Sequence, residues 1–487
     1  MENDHLEKTM SNNSVLILEN NFCQLVTTNN KLKESLWDCL RFRERNYFHS
    51  RLYKQRLWDG YREFFKKETG MFLTGLLPEV MAALKHFDIQ YDVDDKRAKI
   101  EFQHNSIDEG FLNQWLPNGM KPVKLHDYQV ELINQAIKHR RGVVFAPTSA
   151  GKSFIMVGII KALPPNTPTL ILQNRVGLAE QNYAELKNWG VQNLGRLWGG
   201  AVEPNLITVA SVQSVTKMER ALPKIRALIV DEIHDMMSKT PMSVYKKLKG
   251  AGVRIAVSAT PFKFGERDKV QKHQVKGYFG PVLKIKSTDS GILTTSELQQ
   301  RGILSSSKCK FFPVNEPNIP HDIYIDAVTR GIAENKSFHD MVVSIAHSCS
   351  GRTLILVDRI AHGDALNAML PGSLWVQGKD TSETRGEVIK QLQKSKKSLI
   401  AIATQQIFNT GINVFVHNLI NAAGGQADHQ IIQRMGRGLR TANDKSELNY
   451  YDFIFSINPY LFEHSEKRIR ILRDQGHTVD VMERFEP

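Results

Sequence analysis

The sequence predicts an α/β protein in which two parallel-sheet domains stand in tandem behind a small α+β N-terminal domain. Three observations predict it. Short apolar runs, often β-branched, alternate with helical stretches, as expected of strands buried on both faces of a parallel sheet. These runs fall into two series, one over residues 143–257 and one over 353–422. The first series opens on Ala146-Pro147-Thr148-Ser149-Ala150-Gly151-Lys152-Ser153, between an apolar strand-like run and an apolar helix-like run. The boundaries read as 1–115 for the N-terminal domain, 116–285 for the first parallel-sheet domain and 286–487 for the second, with a helical tail from about 460.

In the N-terminal domain, residues 14–18 and 22–26 read as strands and 31–40 as a helix. The polar stretches 92–99 and 105–110 read as turns. Residues 41–67 carry nine Lys or Arg against three acids, interleaved with eight aromatics that include Tyr47, Phe48, Tyr53 and Trp58. Cations can meet phosphates while aromatic faces stack on bases, so this stretch, Trp58 included, is a candidate DNA contact. The alternative is a solvated basic face over an ordinary aromatic core.

Strands of the first series are expected at 143–145, 169–172, 206–209, 227–230 and 255–257, and residues 261–280 read as a loop. Strands of the second are expected at 353–357, 374–376, 399–403 and 419–422. The tail beyond 460 reads as a charged helix bearing Lys467, Arg468, Arg470 and Arg473.

Composition bounds the function. A formal charge of +13 over 487 residues favours a polyanionic partner, nucleic acid before membrane. No apolar run is long enough to span a bilayer, and the polar start Met1-Glu2-Asn3-Asp4-His5 is not a signal peptide. Cys23, Cys39, Cys309 and Cys349 are widely spaced, which suggests neither a zinc site nor a disulfide framework and fits a cytoplasmic setting.

Strand, tight loop, Gly-Lys-Ser and helix form the context of a phosphate-binding loop. There Pro147, Thr148, Ser149, Ala150 and Gly151 would cradle phosphates, Lys152 would reach the β- and γ-phosphates of ATP, and Ser153 would ligate Mg²⁺. Ala146 stands where the strict pattern has a glycine. Further on, the apolar strand at 227–230 ends in Asp231-Glu232-Ile233-His234. Asp231 would hold the Mg²⁺, and Glu232 would orient and deprotonate the attacking water.

With Lys152, the Asp-Glu-Ile-His sequence resembles the DExH subgroup of superfamily-two helicases and translocases, and further motifs of that family follow in order. The resemblance covers about residues 120–455 and implies two RecA-like domains. It implies that Tyr128-Gln129 lies near the adenine, with Gln129 bonding the base edge. It implies contacts to a tracking strand from Asn174, Arg175, Gly200, Ser211 and Gln213, although Asn174 replaces the more usual proline. Ser258-Ala259-Thr260 matches the element that links nucleotide state to nucleic-acid grip. In the second half, Asp358, Arg359 and Gly378 resemble phosphate-contacting loops, and Thr404 with Asn409-Thr410-Gly411-Ile412-Asn413 resembles the element joining DNA backbone to nucleotide; Thr410 falls on the DNA side and Gly411 on the nucleotide side. Gln433-Arg434-Met435-Gly436-Arg437-Gly438-Leu439-Arg440 fits the pattern Q-x-x-G-R-x-x-R. It implies catalytic roles for Gln433, Arg437 and Arg440, with the two arginines as fingers on the γ-phosphate across an interdomain cleft.

Leu57-Trp58-Asp59-Gly60 and the stretch 72–78, together with the compact second half, are similar to the phage UvsW-type branched-DNA helicases. That likeness implies a cytoplasmic, ATP- and Mg²⁺-dependent enzyme that unwinds or branch-migrates forks and recombination intermediates, 3′ to 5′. A monomer is expected, with other recombination or replication proteins as further partners. Three alternatives stand beside it: a duplex translocase without strand separation, an RNA helicase, and a binding protein with an inactive ATPase core. The intact Lys152, Asp231, Glu232, Arg437 and Arg440 argue against the last.

Overall fold

The computed structural model describes residues 14–116, 119, 121–261, 268–288, 291–395, 397–405, 416–424 and 447–484. Apart from the loop residues Pro147–Ala150, a first compact unit runs to Ile292 and a second begins at Leu293.

The first unit contains two sheets that bear on function. In the smaller, β1 (Ser14–Leu18), β2 (Phe22–Val26), β5 (Met71–Leu73) and β6 (Tyr91–Asp95) lie in the order β5-β2-β1-β6. Alternate residues of β1 are buried, and Leu16 and Leu18 pack with Leu32, Leu36, Phe72 and Val80 in one core. A ribbon of β3 (Arg41–Arg43) and β4 (Tyr61–Glu63) projects from the basic stretch.

The turn expected at 92–99 begins instead as part of a strand: β6 pairs parallel to β1, Ser14 opposite Tyr91 and Leu18 opposite Asp95. Its three aspartates face solvent on the sheet edge, where an open pairing register outweighs a weak strand propensity and the charges discourage further pairing.

The larger sheet has seven strands: β7 (Arg141–Phe145), β8 (Thr169–Gln173), β9 (Leu194–Trp198), β10 (Ala201–Glu203), β11 (Ile207–Ser211), β12 (Ala227–Asp231) and β13 (Val253–Ser258). Their order is β10-β9-β11-β8-β12-β13-β7, parallel apart from β10. Every residue of β8, β12 and β13 is buried, which is why they read as unbroken apolar runs. The 261–280 stretch, expected as a loop, contains the helix Lys269–Phe279, capped by the Asp268 side chain accepting from the Gln271 N–H. Its Val275, Tyr278 and Phe279 enter the sheet's core, a spacing that the intervening lysines hide in the sequence.

The small sheet packs on the large one within this unit. Asn20 and Asn21 donate from their side-chain amides to the Lys249 and Lys246 carbonyls at 3.0 and 2.7 Å. Arg254, fully buried on β13, donates to the Asn21 side-chain oxygen and to the Leu248 carbonyl. Arg141 donates to the Asn20 carbonyl at 2.5 Å. Burial pulls the Arg254 guanidinium well below its ordinary range and Arg141 down to about 10.

The second unit is a seven-stranded sheet of β14 (Ser306–Val314), β15 (Arg352–Val357), β16 (Leu374–Val376), β17 (Leu399–Thr404), β18 (Asn418–Asn421), β19 (Glu447–Phe455) and β20 (Thr478–Val481), in the order β16-β17-β15-β18-β19-β14-β20. All of its pairings are parallel. The tail corrects its expectation twice. After the helix Pro459–Asp474 the chain returns as the edge strand β20, and Arg468 is fully buried rather than on a charged surface. Its guanidinium is drawn inward by Asp452, which lies in β19.

Candidate nucleotide and nucleic-acid site

The phosphate-loop residues join β7 to the helix Lys152–Ala162. Ala146 is buried and donates its N–H to the Ser258 carbonyl at 3.1 Å, so the loop leaves its strand pinned to the end of β13. Ser149 and Gly151 take left-handed conformations, φ +68° and +77°. A Cβ on Gly151 would also meet the Gln129 side-chain nitrogen at 2.3 Å, so the left-handed backbone that favours glycine there is joined by a contact that would make Gln129 shift. Lys152, the first helical residue, donates to a Glu232 carboxylate oxygen at 2.6 Å.

Glu232 follows β12 in a left-handed conformation, φ +52°. For a non-glycine residue this is costly, by about 1–3 kcal/mol, and such outliers cluster at active sites. Its other oxygen accepts from the Ser258 hydroxyl at 3.2 Å, and Ser258 Oγ lies 3.0 Å from His234 Nδ1. Asp231 accepts from the Asn182 amide at 3.2 Å and from its neighbour's backbone N–H at 3.0 Å, with the Gln173 amide at 3.5 Å. Burial, then the Glu232 charge, push the Asp231 carboxyl up. Burial acts the same way on Glu232, but Lys152 and His234, with the Lys152 and Ser258 hydrogen bonds, outweigh it and hold that carboxyl down.

A nucleotide with its metal fits these residues. Thr148 Oγ1, Gln173 Oε1 and Thr260 Oγ1 are buried with no hydrogen-bond partner among the described residues, and all belong to segments around the carboxylates. Gln173 and Asn182 were not anticipated. Asn182 was findable: with Ala179 and Leu186 it forms the buried stripe of its helix, where a polar side chain calls for a reason. Gln129 is buried, and its oxygen accepts from the His126 N–H at 2.9 Å, capping the helix Asp127–His139 beside Gly151.

The expected nucleic-acid residues of the first unit gather at one edge. Asn174 and Arg175 follow β8, Gly200 follows β9, and Ser211 ends β11 with Gln213 just beyond; these three strands are neighbours with parallel direction. Gln213 donates to the Asn174 carbonyl at 3.2 Å, and a Cβ on Gly200 would meet open space. The carboxyl ends of β12 and β13, carrying Asp231 and Ser258, continue the same edge. Ligand sites of open α/β sheets lie at such ends.

The second unit repeats the arrangement. Asp358 and Arg359 follow β15, Gly378 follows β16, and Thr404 ends β17, again neighbouring parallel strands. Arg385 holds the Gly378 loop by donating to its carbonyl at 3.1 Å. Thr404 Oγ1 is buried without a partner among the described residues. Thr410, Gly411, Gln433, Arg437 and Arg440 lie outside the described residues. Trp58 is half-buried and donates its indole N–H to the Tyr61 carbonyl at 2.7 Å, within a turn of the basic stretch.

Two parallel sheets in tandem, the first carrying a Gly-Lys-Ser loop against an Asp-Glu-Ile-His strand end, define an α/β protein with a candidate nucleotide site, similar in fold and motifs to the superfamily-two motors. Similarities to known proteins point the same way. Residues 122–263 match the family model ResIII, described as the res subunit of type III restriction enzymes. The chain is 22% identical over 479 residues to the ATP-dependent DNA helicase uvsW of Enterobacteria phage T4, covering 92% of each. It is 28% identical over 208 residues to the DNA 3′-5′ translocase XPB2 of Sulfurisphaera tokodaii, 42% of this chain and 44% of that protein. In fold it is similar to S. cerevisiae Dbp5 bound to RNA and ADP BeF3, with TM-score 0.54 and 13% identity over 77% of this chain and 96% of that one. Among the described residues no helix is long and apolar enough to cross a membrane.

Proposed function

We propose that the protein is an ATP-dependent DNA helicase or translocase that unwinds or branch-migrates branched DNA, moving 3′ to 5′. The observation that carries the ATPase part is the Lys152–Glu232–Ser258–His234 chain of contacts beside Asp231. In this reading Lys152 and the loop 147–151 hold the phosphates, Ser153 and Asp231 take the Mg²⁺, and Glu232 orients the water. Mg²⁺ supplies charge neutralisation on the phosphates. Arg437 and Arg440 act as arginine fingers, with Gln433 beside them. The similarity to a named DNA helicase over nearly the whole chain supports DNA as the substrate, as does the charge of +13. Residues 1–115 read the branched structure in this scheme, and the strand-end residues from Asn174 to Gln213 and from Asp358 to Thr404 track the backbone.

A duplex translocase is the second reading, favoured by the likeness to a protein named as a translocase. One panel separates them: forks, four-way junctions, blunt duplex, single strands and RNA, scored for ATPase stimulation and for strand displacement from 3′- and 5′-tailed substrates. Fork unwinding from the 3′ tail is the expected result. Displacement of a bound protein with no fork opened would support the translocase. Lys152→Ala should abolish DNA-stimulated hydrolysis and leave DNA binding largely intact; full hydrolysis by that variant would overturn the site.

A further inference from the structure

The ribbon β3–β4 closes a loop, residues 44–60, whose construction the ATPase reading does not use. The ribbon fixes its base, Arg41 opposite Glu63 and Arg43 opposite Tyr61, and the Glu44 N–H extends it to the Gly60 carbonyl at 2.8 Å. Inside, the loop is packed on itself. Tyr47 meets Tyr53 edge-on at 4.7 Å, and the Tyr47 ring lies where a Cβ on Gly60 would be. Trp58 is tied to the Tyr61 carbonyl, and Leu57 N–H donates to the Leu52 carbonyl at 2.9 Å. Asn46 and Arg56 both take left-handed conformations, φ +60° and +58°. These restraints define a shaped loop.

That shape places large apolar side chains in water. Phe48 is 51% exposed, Leu52 54% and Leu57 73%, all within ten residues. A single exposed leucine needs no explanation, but three on one short, internally braced loop do. Charge identifies what they face. From Arg45 to Trp58 the sequence has no acid and carries Arg45, Arg51, Lys54 and Arg56. The loop's acids sit at its base and are engaged there: Glu44 pairs with Arg62, and Asp59 accepts from the Tyr61 N–H. Apolar side chains bordered by cations match the end of a base-paired stack bordered by phosphates. Phenylalanine and leucine wedges of this kind part base steps in other settings.

We propose that loop 44–60 is a wedge for the branch point of DNA, with Phe48, Leu52 and Leu57 lying against the exposed face of the last base pair. Arg51, Lys54 and Arg56 take the flanking phosphates. The contact is to the face of the pair rather than its edge, so it carries no sequence preference. The inference rests on the DNA-remodelling reading above and assigns it a contact surface.

The triple variant Phe48→Ser, Leu52→Ser, Leu57→Ser tests it in the full-length protein. All three side chains are exposed, so circular dichroism and melting should match the parent. Single-strand-stimulated ATPase should stay within about twofold, while fork unwinding falls at least about tenfold, the scale of a base-stacking contact of ~1–3 kcal/mol. A fork carrying 2-aminopurine at the branch should brighten on binding the parent and not on binding the variant. Arg51→Gln, Lys54→Gln, Arg56→Gln should lower the salt slope of fork binding by about 3. If the parent shows no DNA-stimulated hydrolysis, the motor reading falls and the wedge with it. If the parent is active and the apolar variant unwinds forks and brightens the probe equally, the wedge alone falls, and the patch passes to a protein partner.

Discussion

Among the described residues, a fully buried pair of a cation with a carboxylate in the second unit and a largely buried pair in the first are built to opposite rules. In the second unit Arg468 and Asp452 are both fully buried and 2.9 Å apart. Asp452 also accepts from the Tyr450 hydroxyl at 2.6 Å, the Asn421 amide at 2.9 Å and the Phe453 N–H at 2.7 Å. Arg468 spends its remaining donors on the Gly424 and Phe453 carbonyls. Every bond there closes on the protein itself. In the first unit Lys152 and Glu232 are closer, at 2.6 Å, but each side chain stays 14% exposed, Glu232 sits in a strained backbone conformation, and Thr148, Gln173 and Thr260 each carry a buried oxygen with no partner among the described residues. A buried charge network that is complete belongs to the fold. One left incomplete, at a cost in stability, belongs to chemistry.

Exchanging the two carboxylates for amides should separate these rules. Glu232→Gln should lower ATP turnover by about 10²–10⁴-fold, the range of a lost general base, with little change in the melting temperature. Asp452→Asn should do the reverse. It strands the Arg468 charge in the interior, at a cost of about 3–5 kcal/mol, and should be read by denaturant melts of the second unit, with turnover per folded molecule unchanged. If both variants lose activity and stability alike, the distinction is wrong.

A smaller effect concerns pH. In the second unit, burial together with the stacked His339 holds His362 down to about 3, and burial holds His477 down to about 4. Both are neutral in the folded state and take up a proton on unfolding below their ordinary 6.5. Their contribution is therefore present above that value and lost as pH falls towards 4. At pH 5 each should cost up to about 2 kcal/mol relative to pH 7. Melts of the second unit at the two pH values would show it, and His477→Asn should remove that residue's share of the difference. No dependence would mean that water reaches both rings.

The contrast also explains what could be read from the chain. The loop at 146–153 and the acids at 231–232 announce themselves because each is a local pattern, an apolar strand ending in chemistry. Most of the two strand series was legible for the same reason. Arg468 was not: its charge reads as surface until Asp452, on a distant strand, is brought against it. Strands β14, β19 and β20 mix lysine, glutamate, asparagine or aspartate into their runs, so they carry no unbroken apolar signal. Strand β6 is held by its neighbour's open edge rather than by its own residues. The nucleic-acid residues were found as motifs, but that they line the carboxyl ends of adjacent strands is a property of strand order, which no local spacing encodes.

Strand β13 has a mechanical meaning. Arg254, near its start, is clasped by Asn21 of the small sheet, and Ser258, at its end, hydrogen-bonds the Glu232 carboxylate. Four residue-to-residue steps of extended chain separate them, roughly 13 Å. Every residue of the strand is buried, and it is hydrogen-bonded to β7 on one side and β12 on the other. Such a strand behaves as a tie rod that does not stretch. A load applied to the small sheet reaches the Glu232 carboxylate through one short, stiff member.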